Sequence, residues 1–459
     1  MINLRLKKIA DLAGGVVNNE KFNDLNVSQI SIDTRTIFEG EMYMPIIGEK
    51  LDGHLFIDNA FEKGAIATFS KRGEIEDSDE RPIVWVDDTN KAFTNLAQNY
   101  RISLDIKIIG ITGSNGKTTT KDLISNVLES KYSVKKTFGN LNNEIGVPRT
   151  LLSFSKDTNI GVVEMGTDGF GQIEALTKMA SPDIAIITNI GDSHLEQLKT
   201  KENIAIEKLH IIDGLKEDGI FLFNNDDEIL KSEFKKIDMD KKVISYGMNE
   251  DSDYVIKILK SSQFGTKFSI NGKEFSIELL GTHQVYNATV AYIIGELFEI
   301  SDTDIQEGLN KKDRTKMRSE LMSCHGFDIL NDSYKSNPQS LRSGLETLEL
   351  LTGYSRKIAI LADMLELGNG EIELHRQIGR EIDPTKIDYL LLYGPLSKYI
   401  YNEAVKNFLP TRVFYFDTKD KLIDKAKYIV SKNSIVFVKG SRSMKLEDVV
   451  EVLVDMKFE

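Results

Sequence analysis

Short apolar runs alternate with amphipathic segments over most of this chain, and this pattern restricts its fold more than any other feature. Residues 106–112, 159–165, 183–190 and 219–224 are apolar enough to be buried strands, and helical segments separate them. Strands that are joined by helices and buried on both faces form parallel sheets with helices on either side. We therefore predict an α/β protein.

Two changes in this pattern divide the chain into three predicted domains. Residues 1–87 contain short mixed elements, which predict a small α/β N-terminal domain. Asp88 and Thr89 can cap a helix that opens a central domain, residues 88–313, which we predict to be a P-loop ATPase-type domain built on a parallel sheet. Strands and helices alternate again afterwards, so residues 314–459 are predicted to form a Rossmann-like C-terminal domain.

Charge and cysteine content exclude several classes of protein. The chain has 58 basic and 71 acidic residues, and this net charge of -13 argues against a protein that coats nucleic acid. Its one cysteine, Cys324, cannot form an internal disulfide, and the first residues lack the layout of a secretory signal. The apolar runs are shorter than the roughly 20 residues of a membrane span. We expect a cytoplasmic protein without a membrane span.

A glycine-rich turn lies between the first predicted strand of the central domain and the helix that follows it. Residues 112–119 read Thr-Gly-Ser-Asn-Gly-Lys-Thr-Thr, which in this context is typical of a P-loop. The glycines let backbone amides face phosphate oxygens, while Lys117 supplies a positive charge and Thr118 a hydroxyl for Mg²⁺. The alternative, a chance turn with a solvated lysine, is disfavoured by the combined context. The predicted ATP-binding loop comprises Gly113, Ser114, Asn115, Gly116, Lys117, Thr118 and Thr119.

Polar side chains follow the next two predicted strands. Glu164 ends the strand 159–165, and Asn189 and His194 follow the strand 183–190. Ligands of open α/β sheets bind at the carboxyl ends of the strands, so we predict that Glu164 and His194 lie near the P-loop and that Glu164 holds magnesium. A solvated glutamate and a hydrogen-bonded polar histidine are the alternatives. Helical periodicity predicts that Lys208 is exposed.

The chain resembles the Mur ligase family of ATP-dependent amide ligases along its whole length. The resemblance rests on motifs at residues 33–35, 52–54, 112–120, 139–140, 164–166, 188–196, 281–288, 331–338, 361–368 and 439–442. The motifs at 361–368 and 439–442 are similar to the branch of the family that adds D-alanyl-D-alanine. The resemblance implies an N-terminal domain for a UDP-sugar, a central ATPase domain and a C-terminal domain that closes over the cleft.

The family resemblance also implies a reaction. ATP would phosphorylate the carboxylate of UDP-N-acetylmuramoyl-tripeptide, and the amine of D-alanyl-D-alanine would attack the acyl phosphate, giving ADP, phosphate and a peptidoglycan precursor. ATP and Mg²⁺ are the implied cofactors, and we expect a monomer. Two alternatives stay open: another Mur-type ligase, which adds a single amino acid or makes folylpolyglutamate, and a nucleotide-binding regulatory protein with a degenerate ligase fold.

Residue roles follow from the same resemblance. Lys117, His194 and Lys208 are implied to be catalytic. Lys208 matches a lysine that is carbamylated in several family members, and the carbamate would join Thr118, Glu164 and His194 as a metal ligand. Asn287 is implied to lie near the adenine, and Arg318 and Asp332 near the ribose and phosphates. The residues implied to bind the UDP-substrate are Asp33, Thr34, Arg35 and Asn140.

Three positions depart from the usual family pattern. Gln284 and Lys335 stand where asparagine is usual, and His210 stands where glutamate is common.

Overall fold

The computed structural model describes residues 2–76, 80–312, 315 and 317–458, which form three main sheets and one two-stranded ribbon. The N-terminal sheet has the order β2-β7-β6-β5-β4, with β4 to β7 parallel, and β1 pairs with β3. Its strands are β1 (Leu4–Arg5), β2 (Val16–Val17), β3 (Asn26–Val27), β4 (Gln29–Ser31), β5 (Glu41–Tyr43), β6 (Ala67–Lys71) and β7 (Ile83–Val86), and its helices are α1 (Leu6–Ala13) and α2 (Ile57–Glu62).

The central sheet has nine strands in the order β16-β15-β14-β13-β12-β11-β8-β10-β9. These are β8 (Lys107–Thr112), β9 (Val134–Lys136), β10 (Ile160–Glu164), β11 (Ile184–Ile187), β12 (Ile220–Asn224), β13 (Lys242–Gly247), β14 (Tyr254–Ser262), β15 (Gly265–Ile270) and β16 (Lys273–Ile277). Strands β8 to β14 are parallel, and β15 and β16 extend the sheet as an antiparallel meander.

Helices cover both faces of the central sheet. They are α3 (Thr89–Ile102), α4 (Lys117–Leu128), α5 (Gly146–Leu152), α6 (Gln172–Ala180), α7 (Leu195–Leu198), α8 (Lys201–Leu209), α9 (Glu228–Phe234), α10 (His283–Leu297) and α11 (Asp302–Asn310). The Asp88 side chain accepts a hydrogen bond from the Lys91 amide, which confirms the predicted cap of α3. Ile108 and Ile109 are fully buried in two different cores, because neighbouring residues of a strand face opposite sides of the sheet.

The C-terminal sheet has six strands in the order β17-β18-β22-β19-β20-β21, all parallel except β17. Its strands are β17 (Glu320–Ser323), β18 (Asp328–Asp332), β19 (Arg356–Ala362), β20 (Tyr389–Tyr393), β21 (Val413–Phe416) and β22 (Ser434–Lys439), and its helices are α12 (Pro338–Leu350), α13 (Glu371–Glu381), α14 (Ser397–Ala404), α15 (Lys419–Ile429) and α16 (Glu447–Val454). Within the described ranges, no helix has both the length and the apolar character that crossing a bilayer requires.

The topology of the central sheet determines where a ligand can bind. From β8 the chain runs to β9 and β10 on one side and then continues to β11 and β12 on the other. Such a reversal opens a crevice at the carboxyl ends of the strands. The predicted three-domain α/β fold is confirmed. The three sheets lie within the three predicted segments, and the predicted boundary between residues 313 and 314 falls outside the described residues.

Candidate active site

A cleft of about 1140 Å³ is lined by residues of the central and C-terminal domains and by Glu49 of the N-terminal domain. The central domain contributes the turn after β8, the end of β10, the segment after β11 and the start of α10. The C-terminal domain contributes the segments before β17 and after β18 and the start of α12. Most of the residues predicted to bind ATP or metal therefore line one cavity.

The turn between β8 and α4 has the backbone that a phosphate loop requires. Gly113 has a φ of +144° and Gly116 a φ of +81°, which side chains disfavour. A Cβ at residue 113 would lie 1.9 Å from Thr188 Oγ1. Thr188 Oγ1 donates a hydrogen bond of 2.6 Å to the Asn115 carbonyl, so the segment after β11 holds the turn in place.

The Lys117 amine folds back onto its own loop. Lys117 Nζ donates to the Gly113 carbonyl at 2.6 Å and lies 3.5 Å from the Ser114 carbonyl. Burial lowers the pKa of Lys117 to about 8, the charge of Glu164 opposes this change, and the positive charge of Lys335 adds to it. An anionic phosphate in the loop would favour the protonated amine.

Thr118 and Glu164 form a buried oxygen pair beside the loop. Thr118 Oγ1 donates to Glu164 Oε2 at 2.9 Å, and Asn142 Nδ2 donates to Glu164 Oε1 at 2.8 Å. The buried Lys121 ammonium lies 4.0 Å from Glu164 Oε2 and 3.5 Å from Asp122 Oδ1. A hydroxyl and a carboxylate are donors that suit Mg²⁺, so this pair fits the predicted metal.

The His194 ring lies between two residues of the C-terminal domain. Its Nε2 is 2.8 Å from Lys335 Nζ, and its Nδ1 is 3.0 Å from Glu366 Oε2. His194 itself has a left-handed φ of +61°. Burial lowers the pKa of His194, and the contact with His194 lowers the pKa of Glu366 to about 2. Nε2 thus has a hydrogen-bond partner on the opposite domain, whereas Nδ1 lies close to a carboxylate there without forming a well-aligned hydrogen bond.

Lys208 is buried, with 2 % of its surface exposed. The prediction from periodicity that Lys208 is exposed is wrong, because α8 packs against α6, α7 and α9, and Lys208 is absent from the described residues that line the cleft. Burial lowers the pKa of Lys208 well below its usual value, and the nearby charges of Lys117 and Lys335 lower it further. An unprotonated amine in such a place is a nucleophile, which is what carbamylation requires.

The remaining predicted ATP ligands lie around the same cleft. Asn287 Oδ1 accepts from Thr120 Oγ1 at 3.1 Å, so α10 packs against the first turn of α4, which follows the phosphate loop. The Arg318 guanidinium stacks over the Tyr334 ring at 4.3 Å. Asp332 Oδ2 accepts from Lys439 Nζ at 2.5 Å.

The residues predicted to bind the UDP-substrate are not all in this cleft. Asn140 lines the cleft, whereas Asp33, Thr34 and Arg35 are absent from the described lining residues. Arg35 pairs with Asp33 at 2.7 Å, and this hydrogen-bonded arginine lowers the pKa of Asp33 to about 2. Thr34 is buried.

The C-terminal domain is docked onto the phosphate loop. Asn337 Nδ2 donates to Asn115 Oδ1 and to Ser193 Oγ, each at 2.8 Å. Gln339 Oε1 accepts from Asn115 Nδ2 at 2.8 Å. These contacts join the start of α12 to the phosphate loop and to the segment after β11.

Sequence reasoning gave no site role to Asn142, Lys121, Lys335 or Glu366. Asn142 is two residues after the predicted Asn140, and Lys335 is three residues after Asp332, which ends β18. Closeness to a predicted site residue was the available signal for both. Lys121 is one turn after Lys117 on an amphipathic helix, and nothing in its local pattern distinguishes it from an exposed lysine.

Three family models match segments of the chain. The family models "Mur ligase family, catalytic domain", "Mur ligase middle domain" and "Mur ligase, glutamate ligase domain" match residues 26–101, 111–295 and 317–442. The UDP-N-acetylmuramoyl-tripeptide–D-alanyl-D-alanine ligase of Bacillus subtilis (strain 168) is 39% identical over 458 residues, which is 99% of each chain.

Two solved structures show the same fold. A crystal structure of MurF from Acinetobacter baumannii has a TM-score of 0.88 and 24% identity, and the match covers 99% of this chain and 100% of that one. A structure of MurF ligase from Thermotoga maritima in complex with ADP has a TM-score of 0.81 and 27% identity over 92% of this chain and 96% of that one. From these matches and its full-length identity to a curated relative, the chain belongs to the Mur ligase family.

Proposed function

We propose that this protein ligates D-alanyl-D-alanine to UDP-N-acetylmuramoyl-tripeptide with ATP, through an acyl phosphate, and releases ADP and phosphate for peptidoglycan precursor synthesis. The observation that carries the proposal is one cleft in which a phosphate loop and a buried hydroxyl–carboxylate pair meet under a docked third domain, with the buried Lys208 near the charges of Lys117 and Lys335. The full-length identity of 39% to a ligase of this specificity supports the substrates.

The first task of such an enzyme is to bring two anions together. A carboxylate and a triphosphate repel each other, so phosphoryl transfer needs concentrated positive charge. We assign the phosphates to the amides of residues 113–119, the N-terminus of α4 and Lys117. On phosphate binding, the Lys117 amine would exchange the Gly113 carbonyl for a phosphate oxygen.

Magnesium is the ion that we assign to Thr118 and Glu164. Its chemistry, when bound, is to neutralise charge on phosphate oxygens. Asn142 orients the carboxylate by donating to the second oxygen of Glu164. The Lys121 ammonium lies 4.0 Å from Glu164 Oε2 and adds a fixed positive charge beside this carboxylate.

Lys208 is the residue that we expect to be carbamylated. Its neutral amine would attack CO₂ at carbon and lose a proton, giving a carbamate with one negative charge. The carbamate would lie near the positive charges of Lys117 and Lys335, which favour it. The negative charge of the carbamate would offset the positive charges of the neighbouring lysines, and its oxygens would supply a further metal ligand.

The third domain protects the acyl phosphate from water. Asn337 and Gln339 hold α12 against Asn115 of the phosphate loop. A reactive intermediate that forms behind such a contact meets the bound amine before it meets bulk water.

We assign the nucleotide to Asn287, Arg318 and Asp332 as well as the loop. The UDP-substrate is assigned to Asn140, Asp33, Thr34 and Arg35, and we propose that the enzyme acts in the cytoplasm as a monomer.

The test is phosphate release with UDP-N-acetylmuramoyl-tripeptide and D-alanyl-D-alanine, supplied separately and together. We expect release only with both, and none from Lys117→Ala, because loss of this cation leaves the transferring phosphate uncompensated. Lys135→Ala removes an exposed lysine of β9 and should keep wild-type turnover.

Other outcomes identify the alternatives. Turnover with a single amino acid instead of the dipeptide would point to another Mur-type ligase. Nucleotide binding without phosphate release in any combination would support a regulatory protein with a degenerate site.

A further inference from the structure

Three side chains that can bind a metal ion meet on the central domain, outside the cleft. Glu174 belongs to α6, and His210 and Asp213 belong to the 3₁₀ turn His210–Gly214 that follows α8. One ligand atom of each residue lies within 4.8 Å of the ligand atoms of the other two. None of the three is among the described residues that line the cleft, so the cluster is separate from the proposed active site.

The backbone that carries these side chains is fixed by contacts that do not involve them. Thr177 Oγ1 of α6 donates to the Ile211 carbonyl at 2.7 Å. A Cβ at Gly214 would lie 2.3 Å from the carbonyl carbon of Thr177, so the two backbones touch. The Glu207 carboxylate of α8 accepts from two amides at the start of α6, at 2.7 and 2.8 Å. An ion would therefore meet ligands whose backbone positions are already set, which favours binding.

The three side chains are exposed enough to close around an ion. Their exposed fractions are 41% for Glu174, 40% for His210 and 41% for Asp213. His210 Nδ1 and Asp213 Oδ2 already lie 2.7 Å apart. The ligands of Zn²⁺ lie about 2.0–2.2 Å from the ion, which places them closer together than 4.8 Å. Rotation of these partly exposed side chains supplies the remaining approach, and the backbone does not have to move.

The cluster already holds a cation. Lys178, one turn after Glu174, pairs with that carboxylate at 2.5 Å. The hydrogen bond to Glu174 raises the pKa of Lys178, and the charge of Asp213 adds to this effect. Both carboxylates therefore act on one cation position. An ion pair between exposed side chains contributes little, so a dication that binds both carboxylates and the imidazole can replace the ammonium.

The donor set selects the class of ion. Imidazole nitrogen suits Zn²⁺, whereas Mg²⁺ and Ca²⁺ prefer oxygen ligands, and Ca²⁺ takes about six to eight of them. Three protein ligands leave a fourth tetrahedral position for water. We propose that Glu174, His210 and Asp213 form a Zn²⁺ site, and that the bound ion joins α6 to the turn at the end of α8. The inference is independent of the proposed function.

The test is calorimetric titration of the full chain with Zn²⁺ in a buffer that contains millimolar Mg²⁺. His210→Asn should weaken zinc binding at least about tenfold, because the loss of a group that only orients a metal ligand already costs about 10- to 100-fold. Glu174→Gln should weaken it as well. Lys178→Met should instead strengthen zinc binding, because it removes the cation that competes for Glu174. Zinc that binds elsewhere is common to all these proteins, so the differences report the cluster.

His325→Asn is the matched control. His325 is an exposed histidine outside the cluster, so its loss should leave the zinc affinity of the wild type unchanged. Equal zinc affinity in the wild type and in His210→Asn would overturn the inference. So would Ca²⁺ binding at the cluster as tight as Zn²⁺ binding.

Thermal unfolding provides a second readout. An ion that binds the folded protein and not the unfolded chain stabilises it, so Zn²⁺ should raise the Tm of the wild type more than that of His210→Asn. An equal rise in both proteins would contradict the site. Neither measurement needs substrate or turnover, so a negative result refutes this inference and leaves the proposed function to its own test.

Discussion

The substitution Gly113→Ala tests whether the turn after β8 must keep its observed shape. The new Cβ would lie 1.9 Å from Thr188 Oγ1, a distance at which the hydroxyl has to move. That movement breaks the bond from Thr188 to the Asn115 carbonyl. The residue would also hold a φ of +144°, which glycine tolerates and alanine does not.

The expected magnitude follows from these two effects. Loss of the hydrogen bond from Thr188 to the Asn115 carbonyl costs about 0.5–1.5 kcal/mol. A residue in a sparsely populated backbone region costs about 1–3 kcal/mol. If the loop escapes this strain by leaving its binding conformation, ADP affinity should fall roughly 10- to 2000-fold.

The assay is calorimetric titration with ADP on four proteins that form a double-mutant cycle. Thr188→Ala alone removes the loop hydrogen bond, and in its background Gly113→Ala should cost only the backbone strain. We therefore expect a coupling of about 1 kcal/mol between the two positions. Gly73→Ala is the control, since Gly73 has a φ of +92° with open space around it and is absent from the described residues that line the cleft. Wild-type affinity in Gly113→Ala, or fully additive losses, would refute the reasoning.

Three further predictions concern buried groups. If Lys208 is carbamylated, short carboxylic acids should partly restore the activity of Lys208→Ala; no rescue would argue against the carbamate. Lys121→Met should lower the free energy of unfolding by about 3–5 kcal/mol in urea titrations, because it removes the buried cation beside the buried acids Asp122 and Glu164, whereas the exposed Lys135→Met should have little effect. Burial lowers the pKa of His283 to about 4. The unfolded chain therefore takes up a proton near pH 6.5 that the folded protein does not, so the free energy of unfolding falls as pH drops from 6.5 towards 4. Thermal unfolding of His283→Gln should depend less on pH in that range.

Much of this architecture could be predicted because it depends on local patterns. Apolar runs such as 106–112 and 183–190 became β8 and β11, and the cap at Asp88 starts α3 as expected. The phosphate loop could be predicted because glycine spacing and a following helix are contiguous in the sequence. Glu164 could be predicted because strand ends of a parallel sheet share one edge.

Other features depend on contacts between distant segments. Helical periodicity places Lys208 on a polar face, yet this face is covered by tertiary packing that periodicity does not contain. The partner of His194 comes from a different domain, 141 residues away, so no spacing rule identifies Lys335. The sequences of β15 and β16 alternate only weakly between apolar and polar residues. Their place in the sheet depends on the antiparallel pairing of β15 with β14 and of β16 with β15.

The central claim is that the tripeptide carboxylate is activated by phosphoryl transfer at the loop of residues 113–118. Oxygen-18 in that carboxylate tests the claim directly, with the released phosphate examined by phosphorus-31 magnetic resonance in the presence of ATP and D-alanyl-D-alanine. Each released phosphate should carry one labelled oxygen from the carboxylate. Phosphate that forms at the rate of ligation but carries no label would contradict it.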